Sequence, residues 1–381
     1  MKVKINNEVL KWARESVNLS IDEVIDKIKM KTFTKDDLVK LENGEQLPDL
    51  NLAKKLAKLY GISFAVLYMT SIPKNVQPKI NDFRQLDSKL SRNAIFLMRK
   101  LINHQEWVKN HLISNNANEL DFVGIISINT KVEDAIFKIQ DALNIKVNFD
   151  KDSKYNFDNI KELLENNNIF VSVGNSYNFN YHSFVEVKEI RGFAIADKIA
   201  PFIFVNSSDT DNAKLFTLIH ELIHIFIGET GISDIAFTNI NKQNKIEKYC
   251  NKVASEFLLP ENIFNDYWSN FISENIEEKI SFISSKLPVS KLSILVKAKY
   301  FGYVEENIFN ELFNKFSKVK FKNKILNGQP DPYYIKRNLN TKKFSNYVLD
   351  AYYDNNITLK DTCNLLSIKP YKLEKYIKRI Q

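Results

Sequence analysis

Lys214-Leu215-Phe216-Thr217-Leu218-Ile219-His220-Glu221-Leu222-Ile223-His224-Ile225-Phe226-Ile227-Gly228 is the stretch on which the fold of this chain turns. Its apolar residues surround the whole helical circumference, Gly228 stops it, and Asp211 or a neighbour is placed to cap it. The pattern predicts a buried helix over 214–227. Within it stands His220-Glu221-Leu222-Ile223-His224. Two histidines four apart lie one turn apart on one helix face, where both imidazoles reach a single metal ion. Glu221 projects about 100° away, close enough to reach a water beside that ion. The alternative is a core helix with two packed, hydrogen-bonded histidines. The chain has only 5 His, so a metal-binding pair accounts better for their spacing.

A catalytic Zn2+ takes three protein ligands and keeps a fourth position open. Glu247, in Glu247-Lys248-Tyr249-Cys250-Asn251, is the best-placed third ligand. Cys250 is its rival, since thiolate suits zinc, although a small buried packing residue explains it too. Glu256 is a weaker candidate. Asn251, one turn beyond Glu247, is placed to accept the free ring N–H of a ligating histidine and fix its tautomer. Glu221 is the expected general base and acid, taking a proton from water and passing it to a leaving amine. No oxyanion-stabilising group is evident; Tyr181 and His182 fit surface or packing roles better. His104 and His111 fall on a polar amphipathic stretch and are not expected as ligands.

Working outward, strand-like runs precede the helix at 169–173, 184–187, 192–196 and 202–205, separated by turn residues. A second strong helix spans 245–259 and ends at Pro260. Helical patterns cover 277–287, 290–300, 305–316, 344–353, 359–366 and 371–380, and two long ones cover 91–113 and 131–143. The first 70 residues predict five short helices. Ser20 with Glu23 forms a capping-box signature, Thr34 caps 35–42, Asp49 opens 50–59 and Ser63 opens 64–69.

With 44% apolar and 26% charged residues the chain has core material enough to exclude disorder and low-complexity classes. Two cysteines exclude a disulfide scaffold and fit a reducing compartment. No signal peptide or membrane span is legible, so a cytoplasmic protein without membrane contact is expected. The net charge of +8 is uneven. Residues 311–381 hold 15 Lys+Arg against 6 Asp+Glu, leaving 39 against 40 elsewhere. That basic tail is a candidate for DNA binding, as is the N-terminal block, where 35–42 would enter the major groove and Thr32, Thr34, Lys35 and Lys40 would reach DNA. The block itself is only weakly basic, and Asp36 and Asp37 open the same helix; a protein-docking role is the alternative. Helix-turn-helix rhythm recurs at 280–300 and 357–380.

Arg191-Gly192-Phe193-Ala194, Ala200-Pro201-Phe202-Ile203-Phe204-Val205-Asn206 and the His220–His224 motif together resemble the ImmA/IrrE metallopeptidase family. The stretch from Glu247 to Pro260 is similar to its second signature, with Cys250 where the family usually has Ala. Leu10-Lys11-Trp12-Ala13-Arg14-Glu15, Leu41-Glu42-Asn43-Gly44, Leu56-Ala57-Lys58-Leu59-Tyr60-Gly61 and Asp82-Phe83-Arg84 resemble the XRE-type domain and linker fused to many such peptidases. The resemblance implies a zincin with His220, His224 and Glu247 as zinc ligands and Glu221 as catalytic acid and base. It also implies that the substrate is a repressor or other transcription factor. The expected architecture is multidomain and mostly α. It comprises an XRE-like helix-turn-helix domain at 1–72, a linker at 73–90 and an α+β peptidase with a small sheet at 91–276. A helical extension at 277–327 and a basic helical C-terminal domain at 328–381 complete it. The rival from another class is a non-proteolytic DNA-binding regulator, or antitoxin-like protein, whose metal site is structural or sensory.

Overall fold

The computed structural model describes residues 2–73, 81–82, 90–145, 156–178, 183–232, 245–317 and 331–380. The chain divides into two units. The first takes in the described residues up to 73 together with 90–103 and 183–185, and the second takes in the rest.

The first unit contains helices α1 (Asn7–Glu15), α2 (Ile21–Ile28), α3 (Lys35–Glu42) and α4 (Leu50–Tyr60), then a 3-10 turn at Phe64–Tyr68. Local chemistry sets each start. Asn6 accepts from the Glu8 and Val9 amides, Ser20 and Glu23 cap α2 reciprocally, Thr34 and Asp37 do so for α3, and Asp49 accepts from Leu52. Leu10, Leu38, Leu56, Tyr60 and Leu67 are fully buried in its core. Arg14 reaches from α1 to α3 and grips Glu42 through two hydrogen bonds of 2.7 and 2.9 Å. The unit continues beyond the expected linker into the long helix α5 (Arg92–Ser114). Ile95 and Phe96 pack on the same core, and Arg99 donates to both the carbonyl and the hydroxyl of Ser16.

The second unit is built on a sheet. Its three main strands are β2 (Phe170–Gly174), β3 (Gly192–Ile195) and β4 (Phe202–Asn206), extended by two-residue strands β1 (Asn81–Asp82) and β5 (Gly231–Ile232) in the order β1-β5-β3-β4-β2. β2 runs parallel to β4, whereas β3 runs antiparallel to both β4 and β5. β2 and β4 are buried at every residue, which explains their unalternating sequences Phe170-Val171-Ser172-Val173-Gly174 and Phe202-Ile203-Phe204-Val205-Asn206. Val171, Val173, Ala194, Ile203 and Val205 share one core with helix α8 (Asp211–Ile227). Its N-cap is Thr210, the neighbour of Asp211: the Thr210 hydroxyl accepts from Ala213 N. At its far end, the carbonyls of Ile225 and Phe226 accept from Gly124 N and Ile126 N, so neighbouring chain satisfies groups a helix leaves open.

α6 (Val132–Leu143), α7 (Phe157–Asn166) and α9 (Lys245–Leu258) complete the layer around α8. α10 (Glu261–Asn270), α11 (Ile276–Lys286), α12 (Lys291–Tyr300) and α13 (Glu306–Ser317) follow. The C-terminal helices are α14 (Pro332–Asn340), α15 (Lys342–Tyr353), α16 (Leu359–Leu365) and α17 (Leu373–Ile380). These also belong to the second unit: Ser172 donates to Leu339 O at 2.6 Å, and Lys343 donates to Glu165 O at 3.0 Å. Residues 184–187 do not form the expected strand. A turn follows at once, with Glu186 O accepting from Glu189 N and Ile190 N, and leaves no length for a ladder. No described helix is long and apolar enough to cross a membrane.

Candidate metal centre

α8 and α9 pack side by side and bring four chemically active side chains together. His220, Glu221 and His224 from α8 are 0% exposed, and Glu247 from the first turn of α9 is 1% exposed. The Nε2 atoms of His220 and His224 lie 3.1 Å apart. One Glu247 oxygen is 3.3 Å from the first, and the other is 3.1 Å from the second. With metal–ligand bonds of about 2.0 Å, a regular tetrahedron has edges of about 3.3 Å. The two imidazole nitrogens are therefore separated by about one edge of a zinc coordination shell, and each has a different oxygen of Glu247 at a similar distance. Two imidazole nitrogens this close also require a proton or a cation between them.

Cys250 lies one turn beyond Glu247 and is fully buried. Donor atoms of His220, His224 and Cys250 all lie within 4.8 Å of one another, so the described residues form a possible metal site that includes this thiol. The electrostatics separate the two acidic candidates. Burial works to raise the Glu247 carboxyl, but hydrogen bonding and charge from His220 and His224 hold it down at about 2. Burial, followed by the charges of Glu247 and Glu221, pushes the Cys250 thiol well above its ordinary range. A ligand binds deprotonated, and the carboxylate meets that condition more readily. Burial also lowers His224, against the pull of Glu247, and so favours the neutral imidazole that metals take.

Glu221 points to the sheet. A Cβ built on Gly192, the first residue of β3, would lie 2.8 Å from Glu221 Oε1, 2.6 Å from Thr217 Cγ2 and 3.0 Å from Phe204 O. Only glycine leaves room there for the carboxylate. This dependence was invisible in the sequence because it arises from the approach of helix to strand.

Other candidates lie elsewhere. Glu256 is committed to Lys297 Nζ at 2.7 Å and to the Glu261 amide. His104 stacks on Phe344 with ring centroids 4.4 Å apart, and His111 stacks on Trp107 at 5.2 Å. Tyr181 and His182 fall outside the described residues. Asn251 is partly buried on α9, one turn past Glu247. In the first unit, Thr34 is occupied in capping α3, Lys35 pairs with Asp22, Lys40 pairs with Asp36 at 2.6 Å, and Thr32 is exposed.

A helix carrying His-Glu-x-x-His beside a small mixed sheet is an arrangement known from metallopeptidases. Residues 178–299 match the model of the Peptidase_M78 family, described as the IrrE N-terminal-like domain. The matched segment runs from before β3 to the end of α12 and contains all of these site residues. This part of the chain is thus similar to metallopeptidases of the IrrE/ImmA type. No curated protein matches the chain.

Proposed function

We propose that the chain is a zinc-dependent endopeptidase of the gluzincin kind, in which His220, His224 and Glu247 hold the ion and Glu221 moves protons beside it. The observation that carries this reading is the close set of donor atoms, with the two imidazole nitrogens 3.1 Å apart, one Glu247 oxygen 3.3 Å from the first and the other 3.1 Å from the second. When bound, zinc supplies a Lewis acid for the scissile carbonyl and brings the pKa of a water to about 7. The remaining work belongs to the chain. Glu221 takes the proton of the attacking water and delivers it to the leaving amine. Glu247 contributes the single negative charge that offsets the cation, and Asn251 helps fix a histidine tautomer.

The activity is assigned to gene regulation in the cytoplasm: the protein substrate is a repressor or another DNA-binding regulator. The similarity of residues 178–299 to an IrrE-type domain supports this, as does the five-helix N-terminal module. DNA contact through Thr32, Thr34, Lys35 and Lys40 of an XRE-like module is part of the same proposal. It requires the Lys35–Asp22 and Lys40–Asp36 pairs to open.

The burial of all four side chains favours a second reading, a non-proteolytic regulator whose metal is structural or sensory. One experiment separates the two. Zinc-loaded protein and its Glu221→Gln form are incubated with DNA-binding repressor proteins of the same cell. Both forms hold one zinc per chain, and only the unsubstituted protein cleaves. Absence of cleavage by either, with zinc held by both, supports the regulator instead.

A further inference from the structure

The lysines of the last two helices are arranged for a ligand. α16 and α17 are joined by a short connection through Ser367, which takes a left-handed backbone conformation with φ 54°, and a 3-10 turn at Pro370–Lys372. The rear of α17 is fixed. Leu373, Tyr376 and Ile380 are buried; the Tyr376 hydroxyl lies 2.8 Å from Ser345 Oγ of α15, and Asn340 Nδ2 of α14 donates to Leu366 O at 2.9 Å. The front holds only exposed polar groups: Lys369, Tyr371, Lys372, Lys375, Lys378 and Arg379 are all exposed, alongside Glu374. Residues 369–380 thus contain five cations and one anion.

Three of these cations have no acidic partner among the described residues. Lys369 and Lys372 lie 5.9 and 5.7 Å from the Tyr371 ring centroid, and Lys375 lies 5.5 Å from that of Tyr333. Lys378 and Arg379 face Glu374 and Asp331 at 2.9 and 3.5 Å. Tyr371 itself is 74% exposed, an aromatic hydroxyl placed among free ammonium groups. The contrast with α3 is direct, because there Lys35 and Lys40 are neutralised by Asp22 and Asp36 and a further acid, Asp37, occupies the first turn.

We propose that α16, the turn at 366–372 and α17 form a second, C-terminal docking surface whose ligand is duplex DNA, held chiefly through its phosphates. A rigid helix pinned from behind, with unpaired cations along its outer face, is the electrostatic footprint of phosphate recognition. The short turn between two helices is the geometry in which the second helix enters a groove. This surface is independent of the metal centre.

The test is a titration of the full chain against a fluorescein-labelled duplex of mixed sequence, followed by anisotropy over a range of salt concentrations. Each phosphate contact contributes about 0.9 to the slope of log K against log salt. The triple variant Lys369→Gln/Lys372→Gln/Lys375→Gln is expected to flatten that slope by about 2.7 and to weaken binding at least tenfold at low salt. Its unchanged circular dichroism and zinc content exclude misfolding. Lys35→Gln/Lys40→Gln, which removes the cations proposed for the N-terminal module, is expected to retain the part of the affinity and of the salt slope that the triple variant loses. The proposal is overturned if the parent shows no salt-dependent binding, if the triple variant binds as tightly as the parent, or if only the Lys35/Lys40 variant loses affinity. It is equally overturned if polyglutamate displaces the duplex at equal charge concentration, which would assign the face to an acidic protein.

Discussion

At the residue scale, Gly192 has no side chain to react, yet the position of Glu221 depends on it. A methyl group there would meet the carboxylate, the Thr217 methyl and the Phe204 carbonyl at 2.6–3.0 Å, and the backbone carbonyl cannot step aside. Gly192→Ala is therefore expected to cost about 1–3 kcal/mol of stability and to abolish cleavage while leaving one zinc per chain. Calorimetry, metal analysis and a cleavage assay read the three effects separately, and full cleavage by the variant would release Glu221 from this constraint. Acid should act through the same cluster. His224 is held below its ordinary 6.5 and Glu247 down at about 2, from an ordinary 4.5. Both groups bind fewer protons folded than unfolded, so their stabilisation is complete above pH 6.5 and is lost as pH falls, through His224 first and then Glu247 between 4.5 and 2. Melting temperature against pH should decline over that window, and Glu247→Gln should remove the part below 4.5. His220, Glu221 and His224 were legible because helical spacing alone puts them together. The choice between Glu247 and Cys250 was not, since residues three apart share a face of α9 and both lie near the two imidazoles.

At the scale of elements, each helix of the site is secured at its C-terminal end, α8 through the Ile225 and Phe226 carbonyls and α9 through Lys297. Glu247 lies in the first turn of α9, and the far end of that helix is held by Lys297 of α12, whose Nζ donates to Leu259 O and to Glu256 at 2.7 Å. Lys297 is buried, and burial lowers its pKa against the pull of Glu256. Lys297→Met should leave a carboxylate and a helix-terminal carbonyl without their donor and cost about 2 kcal/mol. Adding Glu256→Gln should cost less than the sum of the two single changes. Urea unfolding of the four proteins measures both quantities; strict additivity would show that the pair does not couple. Capping residues explain why the helices of the first unit were readable nearly to the residue: Ser20, Thr34 and Asp49 each accept the amide the sequence pattern assigns to them. α10 and α14 escaped notice because polar residues interrupt their apolar spacing and each opens beside a proline, Pro260 or Pro332, that otherwise signals a break. β1 and β5 are two residues long and carry no periodic signal.

At the scale of the whole molecule, the candidate metal ligands all belong to the second unit, and the first has a separate core built from α1 to α4 and the start of α5. The sequence indicated an N-terminal helical block through its caps. It did not show that α5 would contribute to that block as far as Asn103, because a long amphipathic helix shows which face is apolar and not which core receives it. A ligand that binds only the folded state raises the stability of the cooperative unit that contains its site, by about 4 kcal/mol at a thousandfold excess over Kd. Scanning calorimetry of the zinc-loaded chain should therefore show two transitions, and addition of a chelator should move one and leave the other in place. His220→Ala should lower the same transition without chelator and make it insensitive to added zinc. A single transition that shifts as a whole would mean that the ion stabilises both cores together, and the N-terminal module would then be part of the metal-dependent fold.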